Sequence, residues 1–568
     1  ARKWLYLCYL ILLKNEIDHT KVSMSLKPLF HNAIKHALST MDLSEGDLPN
    51  YTIEAPKDPS HGDLSTNIAM VSAKVAKEAP QSIAAKLADA LRTQEDLFSE
   101  VGVAGPGFIN IRFKPSVLHK ELKTLADNAE TFGRNQAFDG KKIILEFVSA
   151  NPTGPLTVGH GRNAVLGDTM ARLYEWCGAT VTREYYFNNA GRQMRMLGES
   201  VKARYAQQLG QDAELPEGGY EGEYIGDIAA TLIDGHGESL LQEEGEGVFK
   251  EAAEKTILED ITRTLDRMQV KMDSFFNEHS LYENKAIYDV VEKLNEKGLV
   301  YQKDGAVWFS TSQLGKEKDT VLIKKSGEPT YRLPDIAYHR DKLDRGFDLC
   351  VDIFGADHID TYPDVLRGID VLGYDPEKIE VLVYQFVTLV KDGKPYKMST
   401  RKANFVTLDE LMDEVGSDVT RFFFLMRAPS THLEFDVAQA KEASDKNPVF
   451  YLQYAHARIQ SVLRKANEEL GDKSSELVQW TRLEHEAEFS LMKKLFFFPD
   501  VIETAARTKE PHKVITYLQE TAQEFTHFYH ECRIMGEEPE IMVTRAKLAD
   551  VTATVLKNGL SLLGVTAP

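Results

Sequence analysis

Hydrophobic positions along the chain change period several times, and those changes divide it into elements. Ile143-Ile144-Leu145-Glu146-Phe147-Val148 is apolar but for one carboxylate, which predicts a buried parallel strand. The stretch Ser149-Ala150-Asn151-Pro152-Thr153-Gly154-Pro155 follows, where two prolines and a glycine forbid helix. Beyond Leu156-Thr157-Val158-Gly159-His160-Gly161, the residues Val165, Leu166, Met170, Leu173 and Tyr174 recur at helical spacing until Gly178 stops the helix. Val181 to Phe187 reads as the next strand. Strand, loop, helix and strand make a right-handed βαβ unit, whose helix presents unpaired N–H groups and a positive dipole end to an anion. The loop has no Gly-Lys-Ser/Thr and no GxGxxG spacing, so it is neither a Walker loop nor a dinucleotide fingerprint. It offers Gly159, where a nucleotide can come close to the backbone, and His160 in the first helical turn.

The same reading places elements on either side. Leu26 to Leu38 is helical in pattern and Tyr51 to Glu54 strand-like; a helix from Asn67 to Lys77 is expected, capped by Asp63 or Ser65, and Gly105-Pro106-Gly107 turns into a strand from Phe108 to Phe113. Downstream, Ala306–Ser310 and Val321–Lys324 read as strands, with Ser326-Gly327 as a hairpin turn. A strand from Asp348 to Phe354 runs into Gly355-Ala356-Asp357-His358, and helix Pro363–Leu372 with its Gly373 cap leads to strand Ile379–Phe386. After the turn Asp392-Gly393, the run Lys394-Pro395-Tyr396-Lys397-Met398-Ser399-Thr400-Arg401-Lys402 packs four cations into nine residues, which suits a loop closing over polyphosphate. From about 413 the chain reads as overwhelmingly helical, with helical apolar spacing over Val419–Met426, Pro448–Leu463, Glu484–Leu495, Lys513–Cys532 and Thr544–Leu562.

At 568 residues the chain is expected to hold about three to four domains of roughly 150 residues each. The net charge of −20 argues against broad, non-specific nucleic-acid binding, yet leaves room for a local basic track. The acid is concentrated: between Gln211 and Asp260, Lys250 and Lys255 are the only lysines or arginines, and this stretch reads most simply as a solvated insertion. The cysteines Cys8, Cys177, Cys350 and Cys532 are scattered, which disfavours a zinc site or disulfide framework and fits a reducing cytoplasm. Residues 1–23 carry one apolar run, Trp4 to Leu13, too short to span a bilayer and without a small-residue cleavage site. They read as a non-native or misassigned extension, and no membrane association is expected.

Asn151-Pro152-Thr153-Gly154-Pro155-Leu156-Thr157-Val158-Gly159-His160-Gly161-Arg162 closely resembles the ATP-binding signature of class I aminoacyl-tRNA synthetases in its arginyl-tRNA synthetase version. The family usually opens the last four-residue part with His where this chain has Thr157. Lys397-Met398-Ser399-Thr400-Arg401 resembles the second signature, with Thr400 in place of a second lysine and Ala403 where glycine is usual. Pro59 to Asn67 is similar to a run in the arginyl enzymes' added N-terminal domain, and Pro448 to Arg458 resembles the first long helix of their anticodon-binding domain. The resemblance implies a multidomain α/β plus all-α protein. Residues 24–120 would form an added tRNA-contacting domain and 121–412 a Rossmann-like parallel-sheet catalytic domain with an insertion at about 205–285. Residues 413–568 would form a helical anticodon-binding bundle.

The implied reaction is ATP-dependent attachment of L-arginine to its tRNA through arginyl-adenylate, with Mg2+ arriving on ATP, in a cytoplasmic monomer. Attack of a carboxylate on the α-phosphorus needs alignment and charge stabilisation more than proton transfer. The resemblance therefore assigns His160, Thr157, Lys397 and Arg401 to catalysis, and Pro155, Gly159, His160, Gly161, Lys397, Met398 and Ser399 to ATP. Asp357 and His358 are the choice for its ribose. A guanidinium is a flat fork of donors best read by buried carboxylates, and Glu146, Ser149, Asn151, Tyr331 and Asp335 match arginine-contacting positions, Asn151 at the α-amino end. Taken alone, Asp335 reads as a helix N-cap before Ile336. Tyr454 and Arg458 are candidates for tRNA contact; alone, Tyr454 reads as a core aromatic and His456 as a possible phosphate partner. Two other readings compete: a tRNA-binding paralogue with impaired chemistry, suggested by Thr157 and Ala403, and a smaller nucleotidyltransferase, which has no use for the helical C-terminal third.

Overall fold

The computed structural model describes residues 25–41, 43–189, 191–356, 359–391, 393–396, 406–471 and 477–568. Residues 1–23, the ribose candidates Asp357 and His358, and Lys397, Met398, Ser399, Thr400, Arg401 and Ala403 lie outside them. The described residues form two compact units, one within 25–135, 469–500 and 527–551, the other within 136–468, 501–526 and 552–568.

In the first unit a four-stranded antiparallel sheet, ordered Ile53–Glu54, Leu64–Thr66, Phe108–Phe113 and Phe98–Ala104, carries helices on one side. Helix Leu26–Ser39 buries Phe30, Ile34 and Leu38, and helix Pro80–Arg92 buries Ile83, Leu87 and Leu91 at the i, i+4 spacing of a packed face. The expected cap of the next helix is corrected. It spans Ile68–Ala76 behind Asn67, Ser65 sits inside a strand, and Asp63 instead accepts the Phe113 N–H at 2.8 Å and pairs with Lys493 at 2.8 Å. A buried carboxylate is stabilised better by an amide and an ammonium than by a helix end alone.

The second unit is built on five parallel strands: β1 (Lys142–Glu146), β2 (Thr180–Phe187), β3 (Ser274–Asn277), β4 (Leu349–Gly355) and β5 (Ile379–Tyr384). Their order is β5-β4-β1-β2-β3. The winding runs outward from β1 to β3 and then reverses to β4 and β5, so the switch point lies between β1 and β4, where ligands gather in open α/β sheets. β3 is four residues long and escapes a periodicity reading.

Helix α1 (Val158–Trp176) covers one face of β1, and Gly167 makes the fit possible: a Cβ there would lie 2.1 Å from the Phe147 ring. α2 (Arg332–Asp344) and α3 (Tyr362–Val371) cover the other face, over a core of Ile144, Ile336, Ala337, Cys350, Val365 and Ile369. Two fully buried arginines tie α1 down. Arg162 donates to the carbonyls of Gln385, Ala428 and Thr431, and Arg421 to those of Met268 and Leu563 and to Asp168 Oδ2.

The acidic insertion is more than solvated surface. Its helices Glu223–His236 and Lys250–Arg267 bury Ile225, Ile228, Ile257 and Ile261, and the Tyr224 hydroxyl donates to the Thr153 carbonyl at 2.6 Å. Among the described residues no helix is long and apolar enough to cross a membrane.

Candidate active site

β1 ends two residues earlier than its apolar run predicts. Val148 and Ser149 adopt φ of 65° and 38°, a region sparsely populated by non-glycine residues and least of all by a β-branched one. The bend is held from several sides. Val148 N–H donates to Asn163 Oδ1 at 2.7 Å, and Asn163 Nδ2 donates to the Ile353 carbonyl at 2.9 Å, joining α1 to β4. Ser149 Oγ accepts from Tyr186 N–H and donates to Glu146 Oε1, both at 3.1 Å, while the Tyr185 hydroxyl donates to the Ala150 carbonyl at 2.7 Å. The bend turns the chain away from the sheet and opens a cavity of about 540 Å³ at the carboxyl ends of β1 and β4.

Six of the sequence candidates line that cavity: Glu146, Ser149, Asn151, His160, Tyr331 and Asp335. Asn151 donates to Gln193 Oε1 at 2.8 Å, and Tyr331 stands 73% exposed at the rim. Thr157 caps α1. Its backbone N–H donates to His160 Nδ1 at 3.1 Å, and the His160 N–H donates to Thr157 Oγ1 at 3.4 Å. A nitrogen that accepts carries no proton, so the neutral ring bears its hydrogen on Nε2. Burial drives the His160 pKa down to about 4, which keeps the ring a neutral N–H donor.

A Cβ on Gly159 would meet nothing nearer than Thr157 Oγ1 at 3.7 Å, so the backbone is open to a close neighbour there. Gly161 faces the other way, where a Cβ would strike Leu408 Cδ1 at 2.5 Å and Phe424 at 2.9 Å. The described residues that follow the second signature return to this corner: Thr407 bridges to Thr157, and Leu408 N–H donates to the Leu156 carbonyl at 2.7 Å.

The register puts Glu184, Glu146 and Asp352 side by side on β2, β1 and β4, three buried carboxylates on one face of the sheet. α2 lies over them with Asp335, Tyr338, His339 and Lys342, the i, i+3, i+4, i+7 positions that a core helix normally fills with apolar side chains. Lys342 reaches Glu146 and Asp352, and Arg345 makes two 2.7 Å bonds to Glu184, which also accepts from the Tyr338 hydroxyl at 2.7 Å. Asp335 is not an N-cap, because the helix begins at Arg332 and puts it in the first turn. No hydrogen bond or ion pair engages its carboxylate among the described residues, and burial, then neighbouring Glu146 and Glu278, push its pKa up to about 7. Glu278, just after β3, also lines the cavity, and burial raises it too.

Sequence reasoning missed Glu278, Lys342 and His339. The polar stripe on α2 was a readable signal; Glu278 followed a strand too short to notice.

Three family models match in chain order. "Arginyl tRNA synthetase N terminal domain" covers residues 29–113, "tRNA synthetases class I (R), catalytic domain" covers 122–422, and "DALR anticodon binding domain" covers 452–568. The chain is 50% identical over 550 residues to an arginine–tRNA ligase of Desulfotalea psychrophila, covering 96% of this chain and 99% of that one. It is also 50% identical over 564 residues to that of Salinibacter ruber, covering 96% and 100%. This chain belongs to the arginine–tRNA ligase family. The solved arginyl-tRNA synthetase of Thermus thermophilus superposes with a TM-score of 0.74 at 22% identity over 96% of this chain and 99% of that one, a likeness of fold.

Within the family's helical C-terminal region two sequence readings are corrected. Tyr454 is 66% exposed on helix Pro448–Leu470 and packs in no core. His456 is buried, its Nδ1 2.6 Å from the Pro568 carbonyl, and so is withdrawn from any phosphate. Arg458 lies four residues beyond Tyr454 on the same helix.

Proposed function

We propose that this chain activates L-arginine with ATP and transfers it to its tRNA, and that the cavity at the β1–β4 switch point is where activation occurs. One observation carries the placement. An acid with no hydrogen-bond or ion-pair partner among the described residues, Asp335, shares a single cavity with His160 at the amino end of α1. A guanidinium would settle beside Asp335 and Glu146, with Tyr331 at the rim and Ser149 and Asn151 towards the α-amino end; Glu278 adds a further acid on that side.

The carboxylate of arginine attacks the α-phosphorus, the bond to the bridging oxygen breaks, and pyrophosphate leaves. A ribose hydroxyl of the tRNA then attacks the arginyl carbonyl, giving up its proton, and AMP departs. His160 Nε2–H and the free N–H groups of α1, approached over Pro155 and Gly159, supply donors to phosphate oxygens without a change of protonation. Thr157 holds the imidazole for that task. Gly161 serves by letting α1 pack closely. Lys397, Met398, Ser399 and Arg401 on the phosphate side, and Asp357 and His358 at the ribose, rest on the signature resemblance. Mg2+ is a hard cation that keeps several waters, and it would ride on the phosphates of ATP. Tyr454, exposed and one helical turn from Arg458, suits a base or phosphate of the tRNA. The buried Cys350 and Cys532 form no disulfide among the described residues, which suits a reducing cytoplasm, and a monomer is the simplest assembly.

Pyrophosphate exchange into ATP, run with arginine and with or without tRNA, tests the reading. Arginine-dependent exchange, at least when tRNA is present, is expected. Tight tRNA binding with no exchange under either condition would identify a tRNA-binding relative without the chemistry.

A further inference from the structure

Beneath the cavity lies an ammonium that the reaction as written does not use. Lys342, fully buried on α2, donates to Glu146 Oε2 on β1 and to Asp352 Oδ1 on β4, each at 2.6 Å, with its Nζ 4.1 Å from the centre of the Tyr338 ring. His339 stands beside it, Nε2 2.7 Å from Asp352 Oδ2 and Nδ1 2.7 Å from the Asp335 carbonyl. A carbonyl and a carboxylate both accept, so both ring nitrogens donate and the ring is an imidazolium. Burial works against its charge, and Asp352 more than restores it, so its pKa is raised. In formal charge two carboxylates and two cations thus balance, although burial still raises the Glu146 pKa against the pull of Lys342. Glu184 is balanced separately by Arg345. Asp335 and Glu278 remain as the acids facing the cavity without a cation partner among the described residues.

Glu146 and Asp352 are direct neighbours across β1 and β4. Without a cation between them the two carboxylates could not both stay ionised, and one would take up a proton. A protonated Glu146 donates a hydrogen bond where a guanidinium needs an acceptor. It would welcome the neutral carbonyl oxygen of a urea.

Building on the reading of this cavity as the arginine subsite, we propose that Lys342 is the positioning residue for charge specificity: acting through Glu146, it keeps that carboxylate an acceptor, so the site takes guanidinium and refuses its neutral ureido isostere. Lys342 donates to Oε2 and Ser149 Oγ to Oε1, and both Glu146 and Ser149 line the cavity.

The test uses the full chain with its tRNA and measures exchange with arginine, with citrulline as the neutral probe. Lys342→Met should raise the arginine KM at least about tenfold and narrow the preference for arginine over citrulline by a similar factor, with the ATP KM within about threefold of the parent. The charge-balanced pair Lys342→Met with Asp352→Asn removes the competing carboxylate as well, so it should bring arginine KM back towards the parent and restore refusal of citrulline. A structural role predicts the opposite, a pair at least as damaged as the single variant. If Lys342→Met does not fold, the pair decides alone: recovery of arginine selectivity supports the proposal. A pair that neither folds nor selects arginine marks Lys342 as a scaffold cation and overturns it, as does a folded Lys342→Met with unchanged selectivity. Absence of arginine-dependent exchange in the parent would instead overturn the subsite reading.

Discussion

Replacing Asp335 by asparagine should make the protein more stable and nearly useless at once. The carboxyl lies against the cavity without a partner among the described residues, its pKa raised from an ordinary 3.8 to about 7 by burial first and then by Glu146 and Glu278. Keeping it ionised therefore works against folding. A rise of that size corresponds to roughly 4 kcal/mol once the pH exceeds both values, an upper figure because the side chain is not wholly sealed from water. The sign follows from which state holds the proton. The folded chain binds it more tightly, so the penalty is absent below about pH 4, grows to about 2 kcal/mol near pH 5, and is complete above about 7. The asparagine side chain carries no charge and escapes it. Melting without arginine should show the variant ahead of the parent by several degrees at about pH 8, with the gap closing as the pH falls towards about 4. In exchange assays the variant should lose the charge that offsets a desolvated guanidinium, about 2–5 kcal/mol for one partner of a buried pair, raising arginine KM about thirtyfold or more while ATP KM stays nearly fixed. A melting gap independent of pH would refute the unpaired-acid argument, and an equal rise in both KM values would take Asp335 out of the guanidinium site.

The same titration predicts that arginine affinity weakens as pH falls through about 7 and levels off above it, which calorimetry in buffers of different ionisation enthalpy would register as proton release; binding flat from about pH 6 to 8 would contradict it. Thr157→Ala removes the α1 cap but leaves the backbone N–H that orients His160, so it should cost about 1 kcal/mol in stability and less than about tenfold in rate, whereas His160→Ala should cost about a hundredfold or more. Equal losses would mean the hydroxyl itself serves the chemistry. Gly167→Ala drives a methyl into the Phe147 ring and should destabilise by about 1–3 kcal/mol, seen as a lower Tm; a neutral result would show that β1 yields easily.

Much of this architecture was legible because periodicity and breakers agree. The strand from Ile143, the Pro/Gly loop, the helix to Trp176 and the strand to Phe187 each carry a strong local signal, and the structure places them within one or two residues. The long helices after 413 were equally plain, although the helix Phe498–Thr508 and the short strand Leu433–Asp436 were not. What escaped depends on contacts remote in sequence. Glu146 is tolerable in an apolar strand only because Lys342 arrives from 196 positions away. Val148 looked like strand and was bent by Asn163. Asp63 looked like a cap and was claimed by Phe113 and Lys493. Thr157, a departure from the usual signature, proved a competent cap, which composition cannot reveal.

The two arginines sunk around α1 have a mechanical consequence. Each holds several oxygens at once, those of Arg421 fully buried and those of Arg162 partly so, and rotating or sliding that helix would break these bonds together. The wall proposed to present donors to phosphate is thus an anvil rather than a jaw. On the proposed reading, any tightening on substrate loading falls to the rest of the cavity's rim, where the ring of Tyr331 stands clear in solvent.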